Sequence, residues 1–292
     1  MMRAGFAPSL VGSVAWVAAL ELLPAPFAAR IFLLAPVVIV PRLLALLPDR
    51  PLIARLAGWP ALIAAAPLVI SFGLPSGVPA ALLALPWIAV AGSAAFVALN
   101  HALKSLPAFS RLHDVPELGL DVALGFWAVG AAFVLVDRLA IPTPFPAVIV
   151  LLTATHFHFA GLGLLGVASL LARSRAWLRG PVLGLVVGIP LTALGFVLAS
   201  NGVNSLGALC VGLSGIGVGV ALLSAKTHGP RRLALGLAGA ALLVSMPLAI
   251  AWSLAILSGQ AFLDLDTMIR THGELNAVAV LLAVVAAPVS AR

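Results

Sequence analysis

Charge is scarce in this chain. Of its 292 residues only 9% are Asp, Glu, Lys or Arg, while 63% are hydrophobic. Soluble globular domains carry roughly 25% charged residues, so the composition excludes one. Cysteine is scarcer still: the single Cys210 lies inside a hydrophobic run, which excludes a disulfide framework and a cysteine-based metal motif. Short segments of alternating polarity, the signature of a transmembrane barrel, are missing as well. Nor is there an HExxH motif, a multi-histidine set, a Ser-His-Asp arrangement, a phosphate-binding glycine loop or a nucleotide site. No linker or compositional shift divides the chain. What is left is an all-α, polytopic transmembrane helical bundle, a single domain over 1–292, whose first partner is the lipid bilayer.

The net charge of +7 would fit a nucleic-acid partner only if the basic residues gathered on one face. They are spread singly or in threes between hydrophobic runs, so no nucleic acid is expected. The excess of arginine over lysine has no functional account. Arg3, the apolar run to Leu23 and the small pair Ala28-Ala29 resemble a signal peptide superficially. Glu21 inside that run, and the hydrophobicity that continues after Arg30, argue for a retained first helix.

Pro, Gly and charged punctuation divide the chain into ten expected spanning helices, near 7–23, 31–47, 58–74, 78–100, 117–137, 145–171, 180–199, 205–224, 233–257 and 268–289. The second is the least regular, because Pro41 and Arg42 interrupt it. Cytoplasmic loops retain Lys and Arg, and here alternate connections do. Arg50 and Arg55, Lys104 and Arg111, Arg173, Arg175 and Arg179, and Lys226, Arg231 and Arg232 fall between helix pairs 2–3, 4–5, 6–7 and 8–9. The connections near 74–77, 200–204 and 258–267 carry none. Arg30 and Arg138 are the exceptions, the latter beside Asp137. The alternation predicts both termini in the cytoplasm and a multi-pass membrane protein. The loop around 101–116, with His101, His113, Asp114 and Glu117, reads as a solvated surface segment.

Two polar clusters interrupt the apolar runs. In the sixth, Thr153-Ala-Thr155-His156-Phe-His158 sits near the middle. Ionisable groups at that depth are costly and face a protein interior or a wet cavity. Residues two apart on an α-helix point roughly 200° away from each other, so His156 and His158 cannot chelate one metal from an undistorted helix. Either they face different neighbours or the helix is locally unwound, which Gly161, Gly163 and Gly166 would permit. Thr153 and Thr155 each precede a histidine by three and lie on its face. In the tenth helix, Asp266 or Thr267 suits the N-cap. Arg270 and Glu274 are four apart and can pair, while His272 and Asn276, also four apart, share a face. Counting rise per residue, the two clusters are expected to meet in a cavity open to the outside, with Glu21 near the outer end of helix 1 as a further member. The plain alternative is that the histidines only hydrogen-bond helices together. Asp121 and Asn100 read as end-of-helix polar residues, and Pro190 as a kink.

Two blocks carry a resemblance: Val150-Leu-Leu-Thr-Ala-Thr-His-Phe-His-Phe-Ala-Gly161 and Met268-Ile-Arg-Thr-His-Gly-Glu-Leu-Asn-Ala277. With weaker similarity at Leu33–Pro41, Glu21 and Ala128–Ala132, the chain resembles the YndJ-like bacterial membrane proteins. The resemblance implies that His156, His158, His272 and Asn276 matter, and that the protein is transporter-like. Phe159 stands where that family often has Tyr, so a role for that hydroxyl is in doubt.

Three functions compete. In the first, the protein moves a small solute or ion past protonatable histidines and Glu274. In the second, it is a membrane-embedded metal or haem enzyme, His156 and His272 supplying one ligand from each helix and Glu21 or Glu274 a further ligand or base. In the third, it is a non-catalytic assembly or sensor subunit. The first is preferred. No residue pattern specifies the solute or an oligomeric state.

Overall fold

A computed structural model describes residues 6–47, 49–105, 114–260 and 262–287. Arg3, Arg111 and His113, used in the sequence argument, lie outside them. Every regular element among the described residues is helical. We number them α1 (Phe6–Leu22), α2 (Phe27–Leu44), α3 (Pro51–Leu56), α4 (Trp59–Ser71), α5 (Val78–Ser105), α6 (Val115–Arg138) and α7 (Ala147–Ala172). The series continues with α8 (Ala176–Val197), α9 (Asn201–Leu223), α10 (Gly229–Leu257) and α11 (Leu265–Ala286).

Each of the ten expected runs is helical, and eight helices, α2 and α5 to α11, are long and apolar enough to cross a membrane. The runs 7–23 and 58–74 yield shorter helices, for local reasons. Pro24 and Pro26 follow α1 at once and remove the N–H groups that would extend it. Gly58, at φ +66°, turns the chain into α4, which ends at the Phe72-Gly73 corner.

α2 runs through its two prolines without a break. A π-helical turn over Ala35–Ile39 absorbs the misfit by widening the hydrogen-bonded ring. Its flanks are buried nearly throughout, and α1 packs so closely there that a Cβ on Gly12 would overlap the Val37 carbonyl. Arg42 is not a loop charge: its guanidinium donates to the Ala287 carbonyl at 2.9 Å. The two basic residues that break the charge alternation are likewise held. Arg30 donates to the Ala25 and Leu23 carbonyls at 3.0 and 3.4 Å. Arg138 pairs with Asp137 at 2.7 Å, donates to the Ser71 carbonyl and lies 4.2 Å from the Phe72 ring centroid.

The chain forms two compact units. One comprises Met1–Lys104, Ala123–Gly163 and Ala287–Arg292, and the other Ser105–Val122 and Leu164–Ala286. In the second unit α8, α9 and α10 pack through small residues, as membrane helices do where close approach replaces the hydrophobic effect. A Cβ on Gly207 would lie 2.4 Å from the Thr192 backbone, and one on Gly239 would lie 2.6 Å from the Gly219 carbonyl. Residues 106–113 of the expected surface segment around 101–116 lie outside the described residues; in the first turn of α6, Glu117 pairs with Arg173 at 2.8 Å, both side chains partly exposed.

Candidate functional site

α7 leaves the α-helical form where its polar residues begin. It is α-helical over Ala147–His156 and π-helical over Phe157–Leu164. Just before the change, four side chains bond backward to carbonyls four residues earlier. Thr153 and Thr155 donate to Ile149 and Leu151 at 2.8 Å each. His156 and His158 place Nδ1 3.1 Å and 2.8 Å from the Leu152 and Ala154 carbonyls. Such back-bonding competes with the backbone ladder and bends helices. The threonine hydroxyls therefore serve their own helix, not the histidines.

His156 and His158 point opposite ways, as their spacing requires. His156 is exposed, and its Nε2 bonds to nothing among the described residues. His158 is fully buried in the first unit. Its Nε2 lies 3.2 Å from the indole nitrogen of Trp87, itself fully buried in α5. An indole nitrogen can only donate, so Nε2 accepts and the proton of His158 sits on Nδ1, shared with the Ala154 carbonyl. Phe32 meets the imidazole edge-on at 5.0 Å between centroids. Trp87 meets Trp127 similarly at 5.1 Å. Gly130 of α6 makes room: a Cβ there would lie 2.7 Å from His158 Nδ1.

The second unit holds the other cluster. Asp264 caps α11, its carboxylate accepting the Thr267 N–H at 2.7 Å. This bond to the charged form holds the Asp264 carboxyl below the usual carboxylate range. The cap is thus two residues earlier than Asp266. That residue instead pairs with Arg270 at 2.8 Å, one turn on, so Arg270 bonds toward the N-terminus rather than to Glu274.

α11 is π-helical over Ile269–Gly273, and this turn carries His272. Nδ1 of His272 donates to the Ser245 carbonyl of α10 at 2.9 Å. Asn276 Nδ2 lies 3.0 Å from both ring nitrogens and donates to the His272 carbonyl at 2.8 Å. With Nδ1 already a donor, its second N–H goes to Nε2. Ser245, fully buried, closes the ring by donating its hydroxyl to Asn276 Oδ1 at 3.1 Å. His272 and Asn276 are thus brought together, as their spacing predicts. Glu274 is exposed and makes no hydrogen bond or ion pair among the described residues. Glu21, exposed near the end of α1, makes none either.

The histidines differ in what they leave free: Nε2 of His156 has no bond among the described residues. Both nitrogens of His158 and of His272 are engaged, and among the described residues no three His, Cys, Asp or Glu side chains gather as a metal would need. Sequence reasoning missed Trp87, Gly130 and Ser245. An isolated Trp, Gly or Ser in an apolar helix carries no periodic signal, and only the fold brings these to the histidines. Asp121, taken as a helix-end group, is buried in the second turn of α6.

A family model described as YndJ-like protein matches residues 30–280, a span that includes both clusters. No curated protein and no solved structure matches the chain.

Proposed function

This chain belongs to the YndJ-like family, and from that premise we propose that it handles a small solute or ion in transporter-like fashion within the bacterial cytoplasmic membrane. One observation carries the reading. The two helices that bear the polar clusters, α7 and α11, both turn π-helical within those clusters, at His158 and at His272. π-Helical turns inside α-helices frequently mark functional sites. Irregular backbone at membrane depth is tolerated only where protein or a water-filled cavity covers it, and transporters bind substrate at interrupted helices. His156, His158, Thr153 and Thr155 at one turn, and His272, Asn276 and Glu274 at the other, are the groups we assign to handling the solute, with Glu21 as an accessory.

We take α1 and α4 as crossing segments too, giving ten spans and two cytoplasmic termini. If α4 did not cross, the later basic loops would fall on the opposite side of the membrane from Arg50 and Arg55. Its thirteen residues reach about 20 Å, a mismatch that local thinning of the bilayer can absorb.

The test is flux. Proteoliposomes holding a fluorescent pH reporter are challenged in turn with a membrane potential, a sodium gradient and a panel of amino acids. Flux above empty liposomes, lost in His272→Ala protein that still folds, supports the proposal. Equal flux with and without protein across the panel overturns it and leaves the assembly or sensor reading.

A further inference from the structure

Glu274 is an anomaly of placement. It is the tenth residue of α11, about 14 Å along a helix that rises 1.5 Å per residue, and so near the middle of a hydrocarbon core roughly 30 Å thick. A carboxylate there needs a partner, a wet cavity or a proton. Its one charged neighbour, Arg270, is already bonded to Asp266. His272 has both ring nitrogens in hydrogen bonds to Ser245 and Asn276. α10, packed against this turn, presents Ser245 there, and its Arg231 and Arg232 lie more than a dozen residues back. The segment Leu165–Ala172 of α7, which also packs on α11, has no titratable side chain. Asp266, Arg270 and Glu274 therefore sum to one uncompensated negative charge.

We propose that Glu274 is the cation-receiving group of the second unit and that the species handled is a proton or a monovalent cation. This rests on the transporter-like reading and names its substrate class. A single carboxylate matches a single positive charge, and among the described residues no two further ligand side chains join it as a multivalent ion would need. An anion would meet like charge.

Dicyclohexylcarbodiimide, an apolar reagent, tests this without any gradient. The O–H of a protonated carboxyl adds across one N=C bond, oxygen to carbon and hydrogen to nitrogen. Acyl transfer from oxygen to nitrogen then leaves a stable acylurea that mass spectrometry can map. Glu274 should be modified at mildly acidic pH in proteoliposomes, and modification should fall several-fold on raising the pH or adding sodium or potassium. Loss with pH alone identifies the proton, and loss with one salt at fixed pH identifies that cation. Glu274→Asp should keep the response. No modification of Glu274, or modification indifferent to pH and to both salts, overturns the proposal. Flux without a labelling response would sink this inference alone. A labelling response in protein that shows no flux would sink the transporter reading alone.

Discussion

Trp87 donates its indole N–H to Nε2 of His158 across 3.2 Å, and the opposite ring nitrogen is spent on the Ala154 carbonyl. One imidazole thereby ties α5 to the start of the π-helical turn in α7, in a fully buried position. Trp87→Phe removes the donor and leaves Nε2 buried and unpaired, which costs about 1–3 kcal/mol. Trp127 is the internal comparison. It is equally buried but its N–H bonds to nothing among the described residues. Trp127→Phe should therefore destabilise less than Trp87→Phe in thermal unfolding in detergent. Equal losses would deny the Trp87–His158 bond its role.

Gly130 is where α6 passes over this imidazole. An added methyl would meet His158 Nδ1 at 2.7 Å and Phe157 Cβ at 2.9 Å. Gly130→Ala should destabilise by about 1–3 kcal/mol through overpacking. At Gly92 of α5 nothing lies within 4 Å of the same methyl, so Gly92→Ala should be neutral or stabilising by up to about 1 kcal/mol. The pair is read by unfolding temperature, and the opposite order would contradict the packing described.

Much of this was legible in the residues. Each of the ten apolar runs is helical, although α3 was not foreseen and eight of the helices are long and apolar enough to cross a membrane; the two-residue spacing of His156 and His158 forecast their opposite orientations. The i,i+4 spacing of His272 and Asn276 forecast a shared face. What sequence could not supply were partners from other helices. Ser245 is one small hydroxyl among apolar neighbours, and its carbonyl meets His272 only because α10 and α11 pack at that level. Asp266 has suitable chemistry for a cap, but capping needs extended backbone before the first turn, and that falls at Asp264. Asp121 does lie near the start of α6, but its burial depends on which helices surround α6 and was not legible.

Ser245→Ala removes the donor to Asn276 Oδ1 and keeps the carbonyl that receives His272. It should cost about 1 kcal/mol and lower flux only in part. Asn276→Leu, which also strips Nε2 of its partner, should lower flux further. Equal activity of both variants with wild type would show that this ring is scaffolding only.

Asp264 predicts a stability effect at low pH. Its folded-state carboxyl titrates below the usual value of 3.8, so the cap's contribution is complete above that value. It fades as pH falls through the lower folded one. Asp264→Asn keeps a capping oxygen without the charge and should flatten the acid limb of stability against pH. Hydrogen exchange at Thr267 follows it directly, and an unchanged acid limb would refute the assignment.

The most direct test of a polar path through the second unit is water access at mid-depth. Cys210→Ser leaves a thiol-free chain, into which single cysteines are placed by Glu274→Cys on α11 and Val244→Cys, an exposed apolar position on α10. A membrane-impermeant thiosulfonate reacts with thiolate, which forms in water and not in lipid. The expected result is rapid labelling at 274 and almost none at 244 in intact vesicles. Labelling at 274 no faster than at 244 would contradict the account.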